Sequence, residues 1–510
     1  MGRRGVLAGT LVLFAANLAT RGIGFLYRIY MSQAIGAEGM GLYQLFMPLY
    51  LLAWTITAAG FTTTVSRLTA QECARGEAGN SRRVLQIATL FSGGLGVLLG
   101  LSLYRGAGLL ARLVFREERL IPSLRLLGLA FPCMAMGSCI RGYFHGLQEP
   151  EAPALSQVLE QTVRIAAVFL LIAHRPPESL AQACRYATAG IVAGEILSFL
   201  FVLVWYRRQK LQRTAATLSR REALQTVLAM ALPLTANRMT GALLSTFENI
   251  LIPQRLQLYT GAGESALGQY GQLTGMAMPL VQLPSALLLA VATALVPALS
   301  RALAVHNSRR IDAVLSRALL LSFGLAFGAA AVFWGLSSPL CRALYRQESL
   351  GPLVFKMGFL CPFLYVQITL GGILNGLGLH TFLLKMSVGS SLITMGFIYG
   401  LMPLFGLDAF LAGWLCALVV TVGLSMRRLA REAFVRLDLL NWVLKPGLSA
   451  GCAVLAGRGC LVMWGNCGWS LWPSLLLLLL VYAGGLHLSG CLRLSRLGRL
   501  CRQVFGSGKS

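Results

Sequence analysis

The stretch ALLLSFGLAFGAAAVFWGLSSPLC, residues 318–341, runs for 24 residues without an Asp, Glu, Lys or Arg, and Arg317 and Arg342 flank it. About 20 apolar residues in a helix cross the roughly 30 Å hydrocarbon core of a bilayer. Because lipid offers the backbone no hydrogen-bond partners, a single spanning segment must satisfy its own N–H and C=O groups. We therefore interpret this stretch as a transmembrane helix.

Comparable apolar runs recur along the whole chain. The chain has 510 residues, of which 56% are hydrophobic and 12% charged, and its mean hydropathy is +0.69, whereas a soluble domain carries about a quarter charged residues. The predicted fold is an all-α polytopic membrane protein without a large extramembrane domain. Its fourteen transmembrane helices lie near residues 6–34, 40–66, 84–104, 121–146, 154–173, 184–206, 223–252, 268–300, 313–341, 352–377, 382–404, 408–426, 441–464 and 469–490.

The net charge of +26 argues for anionic lipids rather than nucleic acid as a partner. A nucleic-acid binder gathers its bases on a soluble face, but here they lie between the apolar runs. Basic loops stay on the cytoplasmic side, and the predicted loops alternate between base-rich and base-poor, with residues 105–119 as the main exception. This alternation predicts an even number of spans, with the N- and C-termini both cytoplasmic.

A weak internal repeat divides the chain. Pro132, Gly142, Gly146 and Leu147 match residues 230 positions later, and Met47-Pro48-Leu49 and Ala16-Asn17 also have counterparts in the second half. Collinear matches predict two related six-helix lobes related by an axis along the membrane normal. The predicted organisation is an N-terminal lobe at 1–206, a cytoplasmic linker at 207–222, a C-terminal lobe at 223–426, an extra helix pair at 427–492 and a basic cytoplasmic tail at 493–510.

Two arginines inside the first predicted span are the principal candidate site residues. Arg21 and Arg28 are seven residues apart, which is two turns of one helix face. A charge within a span costs about 2.5–3.5 kcal/mol on insertion scales and therefore usually serves a cavity or a partner. Guanidinium groups bind phosphate oxygens bidentately, so the pair predicts a pyrophosphate site. The alternative is that Arg28 reaches the outer interface while Arg21 pairs with a carboxylate.

The second half supplies further polar candidates for the cavity or for ion coupling. Glu248 matches Arg28 in the repeat, and we expect it to form an ion pair across the cavity, to carry a proton, or to hold the two halves together. The other candidates in this group are Arg238, Asn249, Asn17 and Asn237.

Other charged residues in the spans are weaker candidates for a functional role. Glu160 and Arg164, one turn apart, are expected to neutralise each other, Glu195 is a lone charge, and Arg141 is expected to be solvated by a loop. No nucleophile, Walker or metal-ligand motif occurs. We therefore predict neither an enzyme nor a cofactor or metal site.

The N-terminal sequence carries a family resemblance. The segments RGIGFLYRIYMSQAIGAEGMGLY at 21–43, GFTTTVSRL at 60–68 and ARGE at 74–77 resemble the stage V sporulation protein B-like group of polysaccharide biosynthesis proteins. This group belongs to the multidrug, oligosaccharidyl-lipid and polysaccharide flippase superfamily.

The resemblance implies a V-shaped pair of lobes that work by alternating access. It further implies export of an undecaprenyl-pyrophosphate-linked glycan precursor for peptidoglycan or spore cortex in the bacterial cell membrane. Related lipid II flippases carry cavity arginines in the first helix, which map here onto Arg21 and Arg28. A monovalent cation or a proton is the expected coupling ion. Two alternatives stay open, namely an ion-coupled antiporter of cationic drugs and a non-transporting membrane scaffold for wall synthesis.

Overall fold

The computed structural model describes residues 3–209, 216–289, 292, 308–433, 438, 440–464 and 468–491. These residues form helices and connecting turns, with no strand among them. Ten helices are long and apolar enough to cross a membrane, or twelve if each of two bent pairs is one span. The predicted all-α, multi-pass membrane fold is confirmed.

The predicted count of fourteen spans is not confirmed. The second predicted span and the part of the first from Leu18 onward fall in one 57-residue stretch, Leu18–Ala74. At 1.5 Å per residue this stretch measures about 85 Å along its helices, nearly three core thicknesses. The predicted span 268–300 lies partly outside the described residues. Fourteen crossings therefore stay a prediction.

The chain divides into two compact units, Met1–Gly271 and Gln272–Ser510. We number the α-helices in chain order. Those of the first unit are α1 (Arg3–Leu45), α2 (Met47–Trp54), α3 (Gly60–Ala74), α4 (Ala78–Leu109), α5 (Ile121–Leu127), α6 (Ala130–Gly146), α7 (Glu151–His174), α8 (Leu180–Arg208), α9 (Arg220–Thr260) and α10 (Gly263–Gly271).

The helices of the second unit follow in the same way. They are α11 (Met278–Gln282), α12 (Ser308–Tyr345), α13 (Gly351–Gly358), α14 (Cys361–Gly376), α15 (His380–Gly400), α16 (Met402–Phe405), α17 (Leu407–Ala433), α18 (Lys445–Trp464) and α19 (Leu471–Leu488). The compact units are defined by packing and the predicted lobes by a sequence repeat, so the lobe and linker boundaries stay predictions. The predicted tail 493–510 lies outside the described residues.

Each unit has its own apolar core. In the first unit the fully buried Phe61, Tyr143 and Phe144 pack with side chains of α4, α8 and α9. In the second unit Leu319 and Val366 form one cluster, and α18 and α19 pack on α12 in another.

Helix α1 breaks at Gly36, whose backbone adopts φ 69° and ψ −173°. A positive φ is readily adopted only by glycine, and the break falls between the first two predicted spans. Beyond it, Gly41 and Gly271 let α1 and α10 touch backbone to backbone, because a Cβ on Gly41 would overlap the carbonyl oxygen of Leu267. Small residues permit such close helix approach in membranes.

We expect Gly41→Ala to destabilise the first unit by about 1–3 kcal/mol, since the added methyl group must displace backbone rather than a mobile side chain. The matched control is Gly24→Ala in the same helix, where the new Cβ would meet nothing within 4 Å. The measurement is the thermal unfolding midpoint of purified protein in detergent. Equal effects of the two substitutions would contradict the proposed role of the close contact.

Backbone features recur at the same offset of 230 residues as the sequence repeat. Two bent helix pairs, Glu118–Leu127 with Ala130–Gly146 and Glu348–Gly358 with Cys361–Gly376, bend by 41° and 56°. Arg116 and Arg346, at this offset, have left-handed φ values of 54° and 56°. The sequence matches in the fourth and tenth predicted spans therefore correspond to the same local structure in both units.

The end of the predicted linker is anchored to the start of α4. The side-chain oxygen of Asn80 accepts hydrogen bonds from the backbone N–H groups of Thr217 (2.9 Å) and Leu218 (3.0 Å). Ser219 then caps α9 in a reciprocal capping box with Glu222. These contacts fix where α9 begins, while residues 210–215 of the linker lie outside the described residues.

Candidate functional site

The two residues predicted to bind the pyrophosphate, Arg21 and Arg28, both lie on helix α1 of the first unit. Arg21 is exposed, and among the described residues no hydrogen bond or ion pair engages its guanidinium group. Arg28 is half-buried, engaged by other parts of the chain, and lies within electrostatic range of the hydroxyl groups of Tyr27 and Tyr43. The two arginines lie about 10 Å apart along the helix axis.

Tyr27 precedes Arg28 in α1, but its side chain is buried in the first unit. Its side chain is 5% exposed, and its hydroxyl has no hydrogen-bond partner among the described residues. Because the hydroxyl is enclosed by protein, a ligand that approaches α1 from outside does not reach it in this conformation. A tyrosine in an apolar run is ordinarily a core residue, and Tyr27 is one.

Two of the candidates on α9 make contacts within the first unit. Arg238 donates to the carbonyl oxygen of Ala59 and to the hydroxyl of Thr63, both at 3.1 Å. Asn249 donates to the carbonyl oxygen of Ser245 at 2.8 Å, and its side-chain oxygen accepts from Tyr270 at 3.2 Å. Both side chains thus connect α9 to neighbouring helices.

The other candidates are placed as follows. Asn237 on α9 is exposed, and Glu248 on the same helix is half-buried and engaged by other parts of the chain. Asn17 belongs to α1, but its side chain lies outside the described part of the structure. The predicted cavity and coupling roles of all five residues stay predictions.

The first unit also contains a charged network, formed by Arg141 on α6, Glu160 and Arg164 on α7, and Glu195 on α8. Arg164 donates to the carboxylate of Glu160 at 2.8 Å, as the i,i+4 spacing predicts. Arg141 approaches the second oxygen of Glu160 at 3.9 Å. These three side chains are only 11–16% exposed.

Hydrogen bonds complete the network at its other end. The hydroxyl of Tyr50 donates to the carboxylate of Glu195, which is 3% exposed. Arg141 donates to the hydroxyls of Ser138 and Ser198 at 3.0 and 3.1 Å. The expectation that a loop solvates Arg141 is wrong, since this side chain is largely buried and bonded between helices.

Glycines bring the helices of the network together. A Cβ on Gly194 would lie 2.8 Å from the carbonyl oxygen of Glu160, and one on Gly190 would lie 2.8 Å from that of Arg164. Helices α7 and α8 therefore approach with nothing between their backbones, which places Glu195 beside the α7 charges. Small-residue contacts of this kind are typical of helix pairs in membranes.

The network is electrically balanced, with two guanidinium groups and two carboxylates. Buried charges are tolerated when they are paired and hydrogen-bonded. Glu160 pairs with both arginines, whereas Glu195 accepts a hydrogen bond from Tyr50 and, among the described residues, has no ion pair. We interpret the network as the polar core that holds α6, α7 and α8 in register. A signal in the sequence could have revealed it, because Ser156, Glu160 and Arg164 recur every four residues on one face of α7.

Among the described residues no group of three or more His, Cys, Asp or Glu side chains could hold a metal ion.

The chain is similar to known proteins over most of its length. The family model described as "Polysaccharide biosynthesis protein" matches residues 6–303. The chain is 31% identical over 407 residues to stage V sporulation protein B of Bacillus subtilis (strain 168), covering 78% of each chain. It is 25% identical over 369 residues to lipid II flippase MurJ of the same organism, covering 68% of this chain and 67% of the relative.

Solved structures share the fold. Lipid II flippase MurJ in an inward closed conformation matches with a TM-score of 0.72 and 13% identity, covering 93% of this chain and 98% of that one. An inward-facing multidrug resistance MATE family transporter of the MOP superfamily matches with a TM-score of 0.66 and 14% identity, covering 83% and 98%. These proteins are a flippase and a transporter, in agreement with the expectation that the chain is not an enzyme.

Proposed function

Since the chain belongs to the polysaccharide biosynthesis protein family, we propose that it is a flippase for an undecaprenyl-pyrophosphate-linked glycan precursor. The precursor moves from the inner to the outer leaflet by alternating access and serves peptidoglycan or spore cortex synthesis. The observation that carries the proposal is the pair of arginines on one face of α1, of which Arg21 has no protein partner among the described residues.

The chemistry of α1 suits a pyrophosphate. A guanidinium group offers a planar fork of N–H donors to phosphate oxygens; Arg21 is exposed, and Arg28, which other parts of the chain engage, is half-buried on the same helix face. An unpaired guanidinium inside a span costs about 2.5–3.5 kcal/mol, and a bound anion offsets that cost. The polyprenyl tail of the substrate would stay in the surrounding lipid.

The proposed transporter needs a membrane, an orientation and a driving force. The chain lies in the bacterial cytoplasmic membrane with both termini on the cytoplasmic side, where its basic segments contact anionic lipids. Transport is driven by the membrane potential or by a monovalent cation or proton gradient, with 100 mV supplying about 2.3 kcal/mol per charge. The candidates for coupling and for the cavity lining are Glu248, Arg238, Asn249, Asn17 and Asn237.

The cationic-drug antiporter is the less favoured alternative. Such a transporter needs a carboxylate that is open to a cation. Glu160 is paired with Arg164, Glu195 accepts a hydrogen bond from Tyr50, and Glu248 is half-buried and engaged by other parts of the chain. An exposed arginine on α1 would repel a cationic drug. The described charges therefore favour an anionic substrate.

Translocation in vesicles tests the proposal directly. Purified protein is reconstituted with a fluorescent undecaprenyl-pyrophosphate disaccharide, and a membrane-impermeant quencher reports how fast the label changes leaflet. We expect acceleration over empty vesicles, no acceleration of a labelled phosphatidylcholine, and no uptake of a lipophilic cation. Uptake of the cation without lipid translocation would instead establish the antiporter, and activity on neither substrate would favour the scaffold.

A further inference from the structure

Helix α12 is broken near its C-terminal end. Leu336 has non-helical dihedral angles of φ −127° and ψ 19°, and Pro339 follows within the same helix. Because proline has no N–H group, it cannot donate to the carbonyl four residues earlier. The carbonyl of Gly335 therefore lacks its usual helical donor, next to the carbonyl of Trp334.

Arg458 on α18 reaches into this break. Its guanidinium donates to the carbonyl oxygen of Trp334 at 2.7 Å and lies 5.8 Å from the ring centre of Phe355. The side chain is exposed, and among the described residues it has no ion pair. Most of the five N–H donors of the guanidinium are thus left for another acceptor.

A groove of about 440 Å³ opens beside this arginine. Ser337, Ser338 and Pro339 line one side, and Arg458, Leu461 and Val462 line the other. Within the described part of the chain, neither serine hydroxyl has a hydrogen-bond partner. The groove is therefore lined by one guanidinium group, two hydroxyl groups and the apolar side chains of Leu461 and Val462.

Nearby tryptophans indicate how deep in the membrane the groove lies. Trp464, Trp469 and Trp472 are 67%, 86% and 65% exposed, and exposed tryptophans concentrate at membrane interfaces. Arg458 lies six residues before Trp464, which is about 9 Å along the helix. Leu461 and Val462 lie between Arg458 and Trp464 on the same helix, so the guanidinium lies below this apolar wall, and the long arginine side chain can extend to a lipid phosphate that enters the groove.

We propose that this groove binds the phosphate group of an anionic membrane phospholipid, with Arg458, Ser337 and Ser338 as donors. A lone arginine on a lipid-facing helix is costly to insert, and a phosphate diester supplies the missing counter-charge. Basic pockets between transmembrane helices bind lipid headgroups in this way. The site belongs to the second unit alone and does not depend on the identity of the flipped glycan.

Native mass spectrometry of the full-length protein tests the proposal. Protein released from nanodiscs that contain phosphatidylglycerol and phosphatidylcholine should retain phosphatidylglycerol, and Arg458→Gln should lower its apparent affinity at least about 10-fold. The matched control is Arg125→Gln, because Arg125 is also exposed and lies 5.7 Å from an aromatic ring, that of Tyr104. Unchanged affinity in Arg458→Gln, or an equal loss in the control, would overturn the site.

A serine double variant and a competition with inorganic phosphate complete the test. If Arg458→Gln does not fold, the Ser337→Ala, Ser338→Ala double variant should still weaken phosphatidylglycerol binding, and unchanged binding in it would overturn the site. Inorganic phosphate at millimolar concentration should not displace the lipid, since it cannot occupy the apolar wall. Displacement by phosphate alone would show a free-anion site and contradict the assignment to a lipid.

Discussion

Replacing Arg21 and Arg28 together by alanine is expected to lower the initial rate of glycan-lipid translocation at least about 100-fold at subsaturating substrate. Hydrogen bonds to charged groups contribute about 1.5–3 kcal/mol each, so losing both guanidinium groups removes about 3–6 kcal/mol of binding to the pyrophosphate. Each 1.4 kcal/mol corresponds to a factor of ten. The quencher assay in vesicles measures this rate.

The matched variants separate charge, geometry and folding. Arg21→Lys with Arg28→Lys keeps both charges but loses the planar fork, so we expect an intermediate loss of about 10-fold. Arg185→Ala removes another exposed arginine of the first unit and should leave the rate unchanged. A well-folded alanine double variant with wild-type translocation would exclude the pyrophosphate role.

The fold was largely predictable from the sequence because hydropathy reports directly on the solvent that a helix meets. Each apolar run is interpreted by itself, without knowledge of its neighbours. The gap predicted between the first two spans contains the break at Gly36, and the 230-residue offset found in Pro132 and Gly142 corresponds to bent helices in both units.

The sites were less predictable because partners come from different helices. Sequence spacing revealed the Glu160–Arg164 pair within one helix, but it could not show that Arg141 and Glu195 join the same network. Arg458 is absent from the residues predicted from sequence, since an arginine near the end of an apolar run is ordinarily solvated at the interface. Only the break in the neighbouring helix α12 gives Arg458 a specific partner.

The charged network is the basis of the second large expected effect. Glu160→Ala leaves the largely buried guanidinium groups of Arg164 and Arg141 without their shared carboxylate. Removing one partner of a buried ion pair costs about 3–5 kcal/mol, because the remaining charge is uncompensated. We therefore expect the free energy of unfolding to fall by this amount, measured by denaturant unfolding in detergent.

Two further variants test whether burial of the charges causes the loss of stability expected in Glu160→Ala. Asp408→Asn breaks the Lys356–Asp408 pair, whose side chains are 49% and 59% exposed, and should cost less than about 1 kcal/mol because solvent screens such pairs. Glu160→Leu combined with Arg164→Leu removes both charges of the buried pair and should recover part of the stability lost in Glu160→Ala. If Glu160→Ala costs no more than Asp408→Asn, the network does not hold α6, α7 and α8 together, and its buried charges must have another role.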